Sequence, residues 1–407
     1  MKSEFVKTGL FLAAALVLVA AANWIEPGAA TPAILSDEGQ PLFPDFRDVK
    51  EVKAIEVIAY NEDEAVAQPL KVEFRNNRWV MPSHSDYPAD AADRLDKTAG
   101  ALLGLKKDIF VSDHVEDHGK YGVIDPLDRK VASLTGRGKH VTLRDEQGGV
   151  LADAILGEKV PDHEGFRYVR LPGHKRVYGV KTDADPSARF EDWVEPNLLR
   201  LSAGRVRRVT LNNYSIDETM GRVMNAERIV LTRDGKKWTS EGPRKVSNGA
   251  ARGVVSALAS IRIVGARPKP KPLAKQLRDG KLQMTLEAVM SMRQRGFFLT
   301  PRGQLLANEG EVTAETERGL VYRLRFGEIV TGGTGSRQTA PAKGEQAGST
   351  AAEAQPRYLF VTVNYDDKLR NKYGGSSGER TAKFLNRKFA DWYYVISGED
   401  FNKIRVK

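Results

Sequence analysis

Apolar and polar residues alternate along two separate stretches of the chain, and each stretch is followed by apolar residues at helical spacing. In the first stretch Leu70, Val72 and Phe74 alternate with charged residues, and residues 78–81 return after the Asn76-Asn77 turn. Strict alternation on both sides of a turn predicts a β-hairpin. The helix predicted after it has one apolar stripe, formed by Leu95, Ala99, Leu102 and Leu103.

The second stretch has the same order of elements. Residues 228–232 run to the Asp234-Gly235 turn, which is typical of a two-residue hairpin, and residues 237–239 return. A helical stripe and a further strand at residues 261–264 follow. Trp79 and Trp238 therefore hold the same place in two similar hairpins. The stripe of the second helix consists of Ala251, Val254, Val255 and Leu258.

A short aromatic motif also occurs twice. Phe190-Glu191-Asp192-Trp193 and Phe389-Ala390-Asp391-Trp392 share Phe-x-Asp-Trp, and a basic residue precedes each copy. Each copy runs on to a basic apolar segment, at residues 204–209 and 401–406. A tryptophan at a fixed place in a repeated unit is typical of a core position, so residues 389–396 are predicted to be the closing core strand. A sugar-binding platform is the alternative.

The two similar halves predict an α+β protein built from two tandem copies of one strand-hairpin-helix-strand unit with further short strands. We assign the first repeat to residues 51–204 and the second to residues 205–407. Residues 26–50 are rich in Pro, Gly and Ala and are expected to form a stalk. Residues 331–356 are Gly, Ser, Thr, Ala and Gln almost throughout, so we expect a disordered insert there.

The N-terminal residues 1–25 are predicted to be a membrane anchor or a signal segment. Residues 9–22 are uninterruptedly apolar, Lys2 and Lys7 precede them, and Glu26 follows. This charge distribution places the N-terminus in the cytoplasm and the rest of the chain outside. Trp24 at the interface favours an uncleaved anchor, whereas Ala20-x-Ala22 is suited to signal cleavage. We expect a single-pass protein of the cell inner membrane with its bulk in the periplasm.

The composition limits the partners. A formal net charge of +10 favours anionic neighbours, and nucleic acid is not expected on the outer side of a membrane. The basic run around Arg267, Lys269 and Lys271 is interleaved with prolines, which predicts an extended polyproline segment. These three residues are candidates for binding anionic headgroups or an acidic protein surface. A stiff, solvated linker is the alternative.

Few residue patterns indicate catalysis. The absence of cysteine excludes a disulfide framework and thiolate metal sites. His114 and His118 are four residues apart, but two histidines supply only half of a four-ligand shell, and a solvated acidic turn is the alternative. We therefore predict a non-enzymatic protein without cofactor or metal, and keep a metal-dependent hydrolase as a weaker hypothesis.

After the first hairpin tryptophan and helix, the chain contains Tyr121-Gly122-Val123-Ile124-Asp125-Pro126 and the short segments 156–158, 168–171 and 177–180. Together these segments resemble the family called domain of unknown function 4340, and the resemblance covers nearly everything after the stalk. The second half departs from the pattern, because residues 295–299 and 308–312 stand where its Tyr-Gly-x-x-Asp-Pro is expected. The resemblance implies a membrane-anchored bacterial protein found alongside gliding-motility-type ABC transporter components, and so an accessory role at an export or motility complex. A binding module for an envelope polymer or an anionic lipid is the alternative.

Overall fold

The computed structural model describes residues 37–217, 222–279, 285–300, 303–330 and 355–405. Within these ranges the first half of the chain forms a nine-stranded antiparallel sheet, in the order β4-β3-β2-β1-β6-β7-β8-β9-β5. The strands are β1 Ala54–Asn61, β2 Val66–Arg75, β3 Arg78–Met81, β4 Tyr87–Pro88, β5 Ile109–Ser112, β6 Lys139–Arg144, β7 Val150–Lys159, β8 Phe166–Arg170 and β9 Val177–Lys181.

The second half forms an eight-stranded antiparallel sheet in the order β12-β11-β10-β16-β17-β18-β19-β13. Position by position this is the order of the first sheet without its short edge strand β4. β14 and β15 form a separate hairpin. The strands are β10 Val206–Asp217, β11 Arg222–Asp234, β12 Lys237–Glu241, β13 Ile263–Pro268, β14 Phe297–Leu299, β15 Leu305–Ala307, β16 Glu311–Thr316, β17 Leu320–Ile329, β18 Arg357–Tyr365 and β19 Trp392–Ile396.

In each half, one helix lies in the sequence between the opening hairpin strands and the strand at the opposite edge of the sheet, as the helical stripes predict. These helices are residues 92–102, before β5, and residues 248–259, before β13. The chain is thus a mixed α+β protein with antiparallel sheets. The remaining helices belong to the second half. The helices are α1 Ala92–Leu102, α2 Asn248–Ala259, α3 Lys271–Arg278, α4 Leu286–Arg293, α5 Asp367–Tyr373, α6 Glu379–Ala390 and α7 Gly398–Ile404.

Both sheets contribute one face to a single continuous hydrophobic core. Ile55 and Val57 of the first sheet and Leu359 and Val361 of the second belong to it, and all four are at most 2% exposed. Alternation along each strand sends the intervening residues to the opposite face. There, small separate clusters cover each sheet, one around Val123 in the first half and one under α3 and α4 in the second.

The departure of the second half from the Tyr-Gly-x-x-Asp-Pro pattern leaves the local backbone arrangement unchanged. The amide of Glu158 donates to the carbonyl of Tyr121, and the amide of Glu328 donates to the carbonyl of Arg295, each over 3.0 Å. In both halves the preceding residue is glycine, Gly157 or Gly327, because a Cβ atom there would overlap the same carbonyl oxygen. The matched Gly-Glu pairs therefore dock equivalent loops.

The predicted stalk needs correction where it is described. Residues 37–50 pack on the first sheet, and Leu42 and Phe46 are only 4% and 3% exposed in the main core. Pro41 forms a bridge to Lys106, and Lys107 pairs with Asp37 at 3.0 Å. Leu42, Phe43 and Phe46 are enough to bury this segment. Their spacing matches neither a helix nor a strand, so the sequence gives no signal for this packing.

The prediction for the two Phe-x-Asp-Trp copies was also wrong in part. Phe190–Trp193 is a 3₁₀ turn after β9, whereas Phe389 lies in the last turn of α6 and Trp392 begins β19, the counterpart of β9. Only residues 392–396 of the expected closing strand are extended. The following segments also differ, since Val206 opens a strand and residues 398–404 form α7. The two copies of the Phe-x-Asp-Trp motif therefore do not occupy equivalent positions in the two halves.

The expected anchor at residues 1–25, the first part of the stalk and nearly all of the expected insert at residues 331–356 lie outside the described residues. Within the described ranges, no helix combines the length and the apolar character needed to cross a membrane.

Candidate functional site at the junction of the two sheets

Aromatic side chains from both halves meet where the sheets join. Tyr87 of β4 lies with its ring centroid 4.9 Å from that of Trp392 and 5.3 Å from that of Phe190. Tyr394, two residues further along β19, lies 6.5 Å away in an edge-to-face arrangement. Burial raises the pKa of the Tyr87 hydroxyl, which keeps it neutral. These rings connect the edge of the first sheet to the second.

Charged residues surround this aromatic cluster. Glu195, just after the Phe190–Trp193 turn, accepts a hydrogen bond from Lys388 of α6 at 2.7 Å and one from Arg200 at 2.9 Å. Burial alone would raise the pKa of Glu195, but these two hydrogen bonds outweigh it and hold the pKa below its ordinary value. Glu195 is therefore a carboxylate at neutral pH and ties the two halves together.

The aromatic cluster and the charges line a cleft of about 330 Å³, which we call the junction cleft. It presents an indole, carboxylates and two cations within one surface, a combination suited to binding a polar ligand. The cleft is lined by Tyr87, Pro88, Ala89, Asp90, Glu195, Arg200, Lys388, Trp392 and Tyr394.

The backbone of Arg200 is in the left-handed region, with φ at 49°. This conformation costs free energy for a residue with a side chain, and such residues occur often in binding sites. The guanidinium lies 4.8 Å from the ring centroid of Phe384, and its side chain is half-exposed at the cleft. The strained backbone thus directs a cation to the mouth of the junction cleft.

The predicted basic binding run has a different structure from the one expected. Arg267 lies in β13 and Lys271 begins α3, so the proline-rich segment is the end of a strand and the start of a helix rather than a polyproline linker. Lys269 is only 5% exposed and therefore does not belong to an accessible basic surface. Of the three candidates, Lys271 is the exposed one.

Lys269 instead contacts, from the buried side, the backbone of the segment that carries Trp392. Its ammonium donates to the carbonyl oxygens of Phe389 and Trp392 and lies 4.2 Å from the ring centroid of Phe360. Burial lowers the pKa of Lys269 to about 7, and the more distant carboxylate of Asp391 offsets this only in part. The prolines on either side of Lys269 are typical of a solvent-exposed segment, but the two carbonyl groups that accept its hydrogen bonds lie more than a hundred residues later in the chain.

The four tryptophans of the two repeated patterns have different surroundings. Trp79 and Trp238 occupy equivalent positions in β3 and β12, each facing a residue of the preceding hairpin strand. Trp193 is 1% exposed and its indole donates to the carbonyl of Ser187 at 2.8 Å, so it fills the core. Trp392 is partly exposed in the junction cleft.

A second polar cluster explains the aspartate of the Tyr121–Pro126 motif. His140 of β6 lies 2.8 Å from Asp153 and 3.4 Å from Asp125, both carboxylates. Burial alone would lower the pKa of His140, but its hydrogen bonds to Asp125 and Asp153 raise it to about 9. The imidazole is therefore charged at neutral pH and fixes the motif loop to the sheet, which is a structural task.

The structure does not bring His114 and His118 into one ligand set. His114 is exposed before a short 3₁₀ turn, whereas His118 is buried and its Nε2 atom lies 2.8 Å from the carbonyl of Lys175. In the part of the chain that is described, no group of three histidine, aspartate or glutamate residues is arranged to hold a metal ion.

Sequence patterns did not point to several residues of the junction cleft. Tyr87 occurs in a two-residue strand, and Arg200 adopts its unusual backbone conformation without a glycine or asparagine signal. Lys388 precedes the second Phe-x-Asp-Trp copy, which was the one available indication. Long-range packing, rather than a local motif, assembles this site.

The chain is thus a two-sheet α+β protein with a cleft where the sheets meet. Residues 79–280 of the chain match the model of the family described as Domain of unknown function (DUF4340). This match begins in β3 and ends just after α3, so it crosses the junction but is shorter than the resemblance predicted. No match to the chain was found among curated proteins or among solved structures.

Proposed function

We propose that the protein is a non-enzymatic accessory protein of an ABC-type export or gliding-motility-like complex. It is anchored in the inner membrane by residues 1–25, with its bulk in the periplasm. The observation that carries the proposal is the single core shared by both sheets, which makes the described chain a stiff body. A stiff body behind a membrane anchor is suited to holding a docking surface at a fixed distance from a transporter.

Affinity purification of the full chain in mild detergent tests this function. Integral-membrane transporter components should be recovered with it, and their recovery should fall when residues 1–25 are replaced by a cleavable signal. Recovery of the protein alone, together with an unchanged distribution in cells lacking the transporter genes, would overturn the proposal. His114 is exposed and lies outside the junction cleft, so the His114→Ala variant is the matched control. It should recover the same transporter components as the unchanged protein.

A second candidate function is the binding of an envelope polymer, and the junction cleft favours it. Trp392 offers an aromatic surface on which a sugar ring can stack, while Arg200 and Lys388 offer cations to acidic groups. Binding sites occur often where two structural units meet. In this function the anchored body would hold an envelope polymer near the export complex.

The Arg200→Gly variant gives a sharp test, because glycine accepts the left-handed backbone without strain. The substitution removes the whole side chain, including the guanidinium that contacts Glu195 and Phe384. Calorimetric titration with soluble acidic glycan fragments should show at least about tenfold weaker binding for this variant, which is the loss of one charged hydrogen bond. Equal affinity of Arg200→Gly and the unchanged protein, or no binding at any salt concentration, would remove this candidate.

A further inference from the structure

Helix α3 presents a row of cations to solvent. Lys271, Lys275 and Arg278 recur at positions i, i+4 and i+7, so they share one side of the helix, and all three are exposed. The opposite side carries Leu273, which belongs to the buried cluster on the outer face of the second sheet, and Ala274, which is also buried. The basic side of α3 therefore points away from the sheet.

Helix α4 presents apolar side chains to solvent. Leu286 is 79% exposed, which is the largest value for a large apolar side chain among the described residues, and Met290 one turn later is 49% exposed. Arg293 continues the same side of the helix. Ala288 and Met292 on the other side are each 1% exposed in the same cluster that holds Leu273. An exposed leucine and methionine on one helix side are a feature of interaction surfaces.

The two helices pack on the same buried cluster of the second sheet. Arg278 of α3 pairs with Asp391 at 2.8 Å, and Ser291 of α4 lies 3.1 Å from the hydroxyl of Tyr393, two residues further along the chain. Both helices also cover the same small cluster on one face of the sheet. Their exposed sides thus form one outward surface, the α3–α4 surface, consisting of Lys271, Lys275, Arg278, Leu286, Met290 and Arg293.

We propose that the α3–α4 surface docks on an anionic lipid bilayer. The two helices carry four basic residues and one acidic residue, Glu287. With Asp279, which follows α3, and Asp391, which pairs with Arg278, the surface keeps a net charge of +1 beside two exposed apolar side chains. Helices that lie on a membrane combine two kinds of side chain. Their cations contact the anionic headgroups, and their apolar side chains enter the boundary with the acyl chains. A soluble acidic polymer would leave Leu286 and Met290 without a partner.

The proposed membrane anchor, on which this inference partly rests, would keep the surface near a bilayer. The described chain begins at Asp37, twelve residues after Ile25, and a fully extended chain of that length spans roughly 40 Å. A tether of this reach gives a high effective concentration of the surface at the membrane, so modest electrostatic and apolar contributions are sufficient for docking.

The chain contains no cysteine, so a single Met290→Cys substitution can carry an environment-sensitive fluorophore at one position. We expect a blue-shifted emission and several-fold less quenching by a soluble quencher when the full chain is reconstituted into vesicles of phosphatidylcholine with phosphatidylglycerol. Phosphatidylcholine alone should give a smaller effect, and added salt should reverse it. Leu134→Cys, 48% exposed in the first half, is the matched control and should not respond to lipid.

Lys271→Glu combined with Lys275→Glu should abolish the response at position 290, and Arg278 is left unchanged because it pairs with Asp391. Equal signals from positions 290 and 134 in both vesicle types would overturn the inference. So would a lipid response that survives both charge reversals. Flotation with vesicles tests the anchor separately: if the chain floats only with anionic vesicles, the anchor proposal fails while docking stands, and if it floats with neither, both fail.

Discussion

The ammonium nitrogen of Lys269 lies 2.8 Å from the carbonyl oxygen of Phe389, near the C-terminal end of α6. The last carbonyls of a helix have no partner within the helix and carry partial negative charge, so a cation there is favourable. Among the described residues no carboxylate lies within ion-pair distance of this ammonium. The position therefore combines a useful hydrogen-bond donor with a costly buried charge.

Lys269→Met should flatten the dependence of stability on pH. Burial lowers the pKa of Lys269 from 10.5 to about 7, so between these values the unfolded chain binds a proton that the folded chain does not. The free energy of unfolding therefore rises with pH across this window, by on the order of 3 kcal/mol from this group. Urea unfolding at pH 7 and pH 10 should show that rise lost in the variant.

Lys271→Met is the control, because it removes an exposed lysine two residues away. Its difference in unfolding free energy between the two pH values should equal that of the unchanged protein. A Lys269→Met variant with an unchanged pH dependence would show that the ammonium is not desolvated as described.

His140→Gln should destabilise the protein most at low pH. The pKa of His140 is raised from 6.5 to about 9, so its contribution is complete below pH 6.5 and is lost as the pH rises through about 9. We expect a loss of about 2–3 kcal/mol in unfolding free energy at pH 6 and little at pH 9.5. Chemical unfolding at both values measures it, and His114→Gln, at an exposed position, should change neither value.

The local pattern of apolar and polar residues was sufficient to predict the hairpins and the helix that follows each of them. Asn76 and Asn77 both have positive φ, and Gly235 lies at the other turn, so the turn residues predicted there do set the strand pairing. The sequence also predicts two similar units, and the two sheets have the same strand order. The periods that define strand and helix depend on neighbours only a few residues away, which is why they are visible in the sequence.

The junction cleft and the buried lysine could not be predicted in the same way. Lys269 is buried by α6 and β19, more than a hundred residues later, and no local feature of Pro268-Lys269-Pro270 records that packing. Phe46 packs on the core from a segment without periodicity. Asp125 was recognised through its motif, but its partner His140 becomes apparent only when β6 is placed beside the motif loop.

Gly157→Ala and Gly327→Ala should each destabilise the chain to a similar extent. The added methyl groups would overlap the carbonyl oxygens of Tyr121 and Arg295, and the equivalent loops would have to move. We expect a loss of about 1–3 kcal/mol in unfolding free energy for each variant. Gly253→Ala in α2 is the control: nothing lies near its added methyl group, so it should stabilise by about 0.5–1 kcal/mol. A clear loss in only one of the two variants, measured by thermal unfolding, would contradict the equivalence of the two loops, and no loss in either would contradict the overlap.

Tyr87→Ala should destabilise both halves of the molecule together. Tyr87 is 5% exposed and contacts Phe190 of the first half and Trp392 of the second, so its removal leaves a cavity between the sheets. A buried aromatic residue replaced by alanine costs about 3–5 kcal/mol. Because one core serves both sheets, calorimetry should show a single transition at a lower temperature, and amide exchange should accelerate at Val57 and Val361 alike. Phe74→Ala, at a 36% exposed ring, should have a much smaller effect. Two separate transitions, of which only one shifts, would mean that the sheets are independent and that the junction is a mobile contact rather than part of one body.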